Sequence, residues 1–575
     1  MGYSRIARAD TGLNNFGALQ CDSIIQMWWY ALVVLCAVTL SRQNEDEWKL
    51  VRTAQGSVRG RKEPDGVYVF YNIPYATAPT GENKFKAPLP PPNWTEPFDA
   101  TDQDVICPQA KFDALGLNNK TMQEDCLIAN IYVPETEEKD LPVLVLIHGG
   151  AFQIGFGDWK KAKNLMRSKK MIVVNFNYRL GIYGFLCLGT EDVPGNAGMK
   201  DQVAFLRWLN KNIASFGGNP HDVTISGSSA GAAAADLLIL SKLAKGLFNK
   251  VIIESGSSLA AFAVQSDPLA NAKMYAKTMN FTNVDDIYAL EKFYKTASYE
   301  TLTLVGFSSR KDSTFIFSPC VERDTGDEIF LADSPRNILK KGDFEKLPML
   351  YGFTNMEGLI RMPYFDSWST EMNERFSDFL PADLIFKSNN EKEEVAKKIK
   401  ELYFGKNPIV KSRDHVVAFI FYFTDIMFAF PGLKSIELNF EGGNQQLYIY
   451  EYSFVDEDTP FVPLTQIRGA SHCAQTQAVL DGTMSNSNAD EQNASPELKN
   501  MKKIMREMWG NFITTGKPVP EGSSLPFWPT GNGLMSLGQE LEIRYTILNN
   551  RGSFWNDIYA EYYREPVPPL PPPKS

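Results

Sequence analysis

The chain has 575 residues, 44% apolar and 22% charged, so it can bury a large core and is not a disordered protein. Its net charge is −10 with a pI near 5.3, and no Lys/Arg stripe interleaved with aromatics runs along it, which excludes nucleic acid as an expected partner. No C-x-x-C pair and no histidine cluster points to a metal.

In chain order, the first signal is "MWWYALVVLCAVTL" at 27–40, a run of fourteen apolar residues followed at once by the polar "SRQNEDEW". That is too short to span a bilayer and matches a signal-peptide core, so residues 1–41 are expected to be a leader and the mature protein to be secreted. The segment before it is long for a leader, which makes Met27 an alternative start. No later stretch reads as long enough to cross a membrane, and no stable membrane anchor is expected. Sequons at Asn93, Asn119, Asn280 and Asn493 are glycosylation candidates in a secreted chain. Of the seven cysteines, Cys107, Cys126, Cys187, Cys320 and Cys473 survive removal of the leader. An odd number cannot all pair internally; Cys107 and Cys126, flanking a polar stretch, are the best disulfide candidates.

Next, "GSVRGRKEPDGVYVFYNIPYA" alternates as a hairpin, while "LPVLVLIHGGAF" and "MIVVNFNYRLG" are continuous apolar runs, the pattern of strands buried on both faces. "KDQVAFLRWLNKNIASFGG" has helical periodicity, Val223 to Ile225 read as a short buried strand, Ala230 to Lys242 as a helix, and "KVIIESGS" as the next strand. The distal half is helix-rich, in "YALEKFYK", "EEVAKKIKELYFG" and "PELKNMKKIMREMWGNFITTG". Alternation of strand and helix predicts a doubly wound α/β core. No linker or repeat interrupts it, so residues 42–565 are expected to form one large domain, followed by a Pro-rich disordered tail at 566–575.

Within "DVTISGSSAGAAAADLLILSK", Gly227, Ser229 and Gly231 fit G-x-S-x-G, a sharp strand-to-helix turn that exposes the central serine. Ser229 is therefore the candidate nucleophile and Ser228 a spacer. The motif alone also describes an ordinary glycine-rich turn, so it needs partners. Only four histidines are available as a base. His148 precedes a turn where backbone N–H groups are wanted, His221 lies at the far end of the nucleophile's strand, and His415 begins a helix beside an aromatic run. His472, in the small-residue loop "IRGASHCAQ", remains. A neutral His472 places the acid limb of activity near the ordinary imidazole pKa, about 6.5. Glu357, in a loop after the strand-like "KLPMLYGF", is the candidate acid, and the order Ser, acid, His is that of α/β-hydrolases. "IHGGAF" at 147–152 is a glycine-rich turn able to present consecutive N–H groups to an oxyanion. Phe152, Phe156 and Trp159 beyond it are expected to approach an apolar pocket.

The series "QGSVRG", "IPYA", "EDCLIANIYVP", "IHGGAF", "NYRLGIYGFL", "GNAGMKDQVAFLRWLNKNIASFGGNP", "SGSSAG", "GFTNMEG" and "GASH" resembles the type-B carboxylesterase and cholinesterase family over nearly the whole chain after the leader, and most of all its secreted insect carboxylesterases. The resemblance implies an α/β-hydrolase fold, with a large mostly parallel sheet flanked by helices. It implies a serine esterase with Ser229, Glu357 and His472 as triad, and an oxyanion hole from the N–H groups of Gly150, Ala151 and Ala230. It also implies a Cys107–Cys126 disulfide, no counterpart for the family's further bridges, no cofactor and a small-molecule ester as partner. Cholinesterases carry a tryptophan between the first two cysteines to hold choline; residues 108–125 contain none, so apolar, neutral esters are expected. The alternative within the family is a neuroligin-like adhesion protein with a vestigial site.

Overall fold

The structure is a computed structural model that describes residues 47–571 except 103, 111–116, 118–119, 170, 304–309, 482–492, 532 and 546–547. The leader and Asn119 lie outside the described residues.

Thirteen strands form one sheet. They are β1 (Trp48–Thr53), β2 (Gly56–Lys62), β3 (Val67–Pro74), β4 (Phe98–Asp99), β5 (Ile128–Pro134), β6 (Leu141–Ile147), β7 (Ile172–Phe176), β8 (Gly218–Ser228), β9 (Lys250–Glu254), β10 (Met349–Thr354), β11 (Leu447–Tyr452), β12 (Leu534–Leu537) and β13 (Leu541–Arg544). The order is β1-β2-β3-β5-β7-β6-β8-β9-β10-β11-β12-β13, with β4 paired to β2. From β7 to β12 every pairing is parallel; β1, β2, β3 and β5 pair antiparallel in series, as does β13 with β12, while β4 lies parallel to β2. The apolar runs supply the parallel block because strands covered on both faces cannot alternate: β7 and β9 are buried at every position. Register aligns Ser228 with Glu254, Glu254 with Gly352, and Gly352 with Tyr450. The carboxyl ends of β8 to β11 therefore lie level along one edge, where open α/β sheets bind ligands.

Helices cover the sheet, among them α1 (Ala197–Asn212), α2 (Ala230–Leu240), α3 (Arg413–Thr424), α4 (Phe430–Glu441), α5 (Ala474–Val479) and α6 (Pro496–Thr515). A π-helical turn, Asp425–Ala429, joins α3 to α4. The joined run Arg413–Glu441 is, contrary to expectation, long and apolar enough to cross a membrane, but 78% of its most apolar window is buried in the protein. It is a core helix.

Cys107 and Cys126 are bonded, and so, against expectation, are Cys187 and Cys320, 133 residues apart in sequence. Gly195 gives the second bridge room: a Cβ there would stand 2.6 Å from the sulfur of Cys320. Cys473 is the one free cysteine among the described residues, and it is buried. Of the tail expected to be disordered, residues 572–575 lie outside the described residues, while in 566–571 Pro566 and Pro569 are buried and the Pro569 carbonyl comes within 2.5 Å of where a Cβ of Gly189 would stand. Prolines have little freedom to lose, so laying them on the body costs little entropy.

Candidate active site

Ser229 sits between β8 and α2 at φ 59°, ψ −126°, a conformation that non-glycine residues rarely adopt. The flanking glycines are required by contact. A Cβ on Gly227 would stand 2.0 Å from the Gly231 carbonyl oxygen, and one on Gly231 would stand 2.3 Å from that of Ile147. The Ser229 N–H donates to the Glu254 carbonyl at 2.8 Å, which ties the turn to β9. The alanines of α2 are fully buried, and a Cβ on Gly256 would meet Ala232 at 2.9 Å. Small side chains let this helix lie directly on neighbouring backbone.

The turn after β6 packs against the same serine: a Cβ on Gly149 would stand 3.2 Å from Ser229 Cβ. Gly150 and Ala151 both have positive φ, 98° and 58°. Among the described residues the N–H groups of Gly150, Ala151 and Ala230 have no hydrogen-bond acceptor, and Ala230 opens α2, where the helix dipole favours negative charge.

Glu357 follows β10, wholly buried. Three donors converge on its carboxylate: Ser255 Oγ at 2.5 Å, the Thr354 N–H at 2.8 Å, and His472 Nδ1 at 2.5 Å. Ser255 in turn accepts from Gln475 Nε2 at 2.6 Å, so α5, which carries the histidine's loop, is pinned to the end of β9. Ser229, Glu357 and His472 thus come from loops at the carboxyl ends of β8, β10 and β11. The other histidines stand elsewhere. His221 is exposed, and His415 accepts from the Val410 N–H at the start of α3. The buried His148 ring bonds the Gly149 carbonyl through Nδ1, and burial pulls its pKa down to about 4.

The profile of the Carboxylesterase family matches residues 47–555. The chain belongs to that family. It is 32% identical over 506 residues to a carboxylic ester hydrolase of Bombus ignitus, covering 85% of this chain and 89% of that one. It is 30% identical over 538 residues to the juvenile hormone esterase of Heliothis virescens, covering 88% and 92%. The crystal structure of the juvenile hormone esterase from Manduca sexta, with OTFP covalently attached, superposes with a TM-score of 0.78 at 28% identity, over 89% of this chain and all of that one. The fold is that of the α/β-hydrolase esterases, and the chain is a carboxylic ester hydrolase acting on small-molecule esters.

In this carboxylesterase the ring beside the histidine comes from a segment the sequence did not single out. Phe152 is fully buried and packs edge-on to Phe185, and Phe156 stacks on Trp159 with the Lys120 ammonium over its ring. Phe428, from the π-helical turn, lies 4.5 Å from the His472 ring, backed by Phe262 and then Phe315. A cavity of about 930 Å³ opens beside the histidine's loop, lined by Leu359, Tyr452, Phe454, Ser471 and Ala474. None of Ser229, Glu357 and His472 lines it, so its size does not make it the ester site.

Cys473 adjoins the histidine. Burial pushes its thiol pKa up, but His472 and then Lys160 outweigh that and hold it below the usual range. Burial pulls the His472 pKa down, yet Cys473 and Glu357 raise it above the ordinary imidazole range.

Proposed function

We propose that the chain hydrolyses neutral, apolar carboxylic esters through an acyl-enzyme and does so outside the cell. Ser229 Oγ attacks the ester carbonyl; His472 Nε2 takes its proton and returns it to the leaving alcohol; water, activated by the same nitrogen, then releases the acid. Glu357 fixes the tautomer, because an Nδ1–H donated to its carboxylate leaves Nε2 with the free lone pair. The N–H groups of Gly150, Ala151 and Ala230 receive the oxyanion.

The observation that carries this reading is the 2.5 Å contact between His472 Nδ1 and Glu357 Oε2, at the same sheet edge as a serine held at positive φ. Burst release of a chromogenic alcohol, one equivalent per enzyme, with an organophosphate mapped to Ser229, is the expected result; a label on another residue, or no burst and no label, rejects it. The Phe428 wall and the absence of tryptophan from residues 108–125 support neutral substrates. Two disulfides, the apolar run at 27–40 and the exposed Asn93, Asn280 and Asn493 support secretion. N-terminal sequencing of protein from the medium should find a start between Val38 and Asn44, and an intact leader there would oppose it.

A further inference from the structure

The residue before the nucleophile is more than a spacer. Ser228 Oγ accepts a hydrogen bond from Lys160 Nζ at 2.9 Å. Behind that contact lies a cavity of about 20 Å³ walled by Ile147 and His148 from the end of β6, by Gly157 and Lys160 from the loop beyond, by Ser228 from the nucleophile's turn, and by Thr476 from α5. These elements bear the oxyanion turn, the nucleophile and the base respectively, and all three border this one space.

Two of the polar atoms on its walls are buried without a hydrogen-bond partner: His148 Nε2, on a residue 5% exposed, and Thr476 Oγ1, on a residue 2% exposed. Their chemistry is complementary. His148 donates through Nδ1 to the Gly149 carbonyl, so its Nε2 is an acceptor, and burial keeps the ring neutral. The Lys160 ammonium has three N–H donors, of which Ser228 uses one. With Lys160 half-buried and Ser228 a single neutral partner, two of its donors remain to be satisfied. A cavity of roughly 10–15 Å³ suffices for a water, which needs two to four polar partners.

We propose that this cavity binds one ordered water molecule that accepts from Lys160 and donates to His148 Nε2 and Thr476 Oγ1, making Lys160 a positioning residue that holds the oxyanion turn, the nucleophile's turn and the base-bearing helix in register. This rests on the assignment of Ser229 and His472 as nucleophile and base. Lys160 touches no substrate; it acts through Ser228 and through the water. Its loss therefore misplaces the reacting groups without altering the pocket that binds the ester, and the expected signature is a fall in kcat at nearly constant KM.

The test uses Lys160→Met, Thr476→Val and Ser228→Ala in the full-length enzyme, with Ser229→Ala beside them. Lys160→Met should lower kcat, and the rate of organophosphate labelling of Ser229, by roughly 10- to 100-fold, the scale of a hydrogen bond to a charged group, with KM within about twofold. Thr476→Val should lower kcat by about 3- to 10-fold. Ser228→Ala should add little to Lys160→Met, because the contact it removes is already gone. A crystal structure should carry ordered density within hydrogen-bond distance of Lys160 Nζ, His148 Nε2 and Thr476 Oγ1. A dry cavity, or wild-type kcat in Thr476→Val and in a folded Lys160→Met, overturns the proposal. If Lys160→Met fails to fold, Thr476→Val and the density decide it. Persistent hydrolysis by Ser229→Ala would instead overturn the triad reading.

Discussion

The nucleophile's turn and the histidine's loop reach the same edge of the sheet by opposite means. At Ser229 backbone and steric conditions dominate: missing Cβ atoms at Gly227, Gly231 and Gly149, buried alanines in α2, and a main-chain bond to Glu254, with the Lys160–Ser228 contact as the one side-chain tie described above. At His472 side chains do it, through a chain from Gln475 to Ser255 to Glu357 to the imidazole, spanning residues far apart in sequence. Steric conditions are met locally and leave a motif. Side-chain networks are assembled by the fold and leave isolated residues.

The difference can be broken by substitution. Ser229→Ala should lower kcat by about 10⁶-fold, whereas Ser228→Ala should stay within about tenfold of the wild type, since only the former removes the attacking oxygen. Steady-state hydrolysis of a chromogenic ester decides between them, and equal losses would mean that the turn is not aimed as described. Glu357→Gln keeps shape but reverses the sense of a hydrogen bond, and by analogy with other triads should cost about 10⁴-fold. Near-normal turnover in that variant would move the acid elsewhere.

Two smaller effects sharpen it. With Phe428 beside His472 and no tryptophan in residues 108–125, acetylcholine should be handicapped against an acetate of a neutral alcohol by about 2- to 30-fold in kcat/KM, the loss of one cation–π contact. A preference for acetylcholine would give some other aromatic the role. The last concerns pH. With His472 as the proposed base, activity requires it neutral, and a raised pKa means that kcat/KM is lost, as pH falls, at a higher pH than the ordinary imidazole value of about 6.5. Cys473→Ser removes one of the groups raising it, so the acid limb should move to lower pH with little change in the alkaline plateau. An unmoved limb would leave Glu357 alone responsible.

The same contrast explains what was legible. G-x-S-x-G and the apolar strands could be read because their conditions are local, and the level strand ends then follow from parallel pairing. Glu357 was visible as an acid just past a strand, and His472 by elimination among four histidines. The Cys187–Cys320 bridge, the Lys160–Ser228 contact and the Phe428 wall join distant segments, and no spacing rule announces them. Phe152, Phe156 and Trp159 follow a turn in which Ala151 and Phe152 both have positive φ, and their ring contacts with Phe185 and with each other join residues that no spacing rule pairs. Proline composition suggested disorder in the tail, although stiffness also makes a segment cheap to dock.

The π-helical turn at Asp425–Ala429 bears on how such a pocket can change over evolutionary time. A π turn is an α-helix carrying one extra residue, and each residue of an α-helix advances it by about 100°. Deleting one position there would close the π turn and rotate one half of the run against the other, with Pro431 still leaving a gap in the hydrogen-bond ladder at the start of α4. Phe428 would swing away from His472, or the packing of α4 would have to move to keep it. A single-codon insertion or deletion in this turn would thus move the ring beside His472 in one step, while the strands carrying the loops of Ser229, Glu357 and His472 stay where they are.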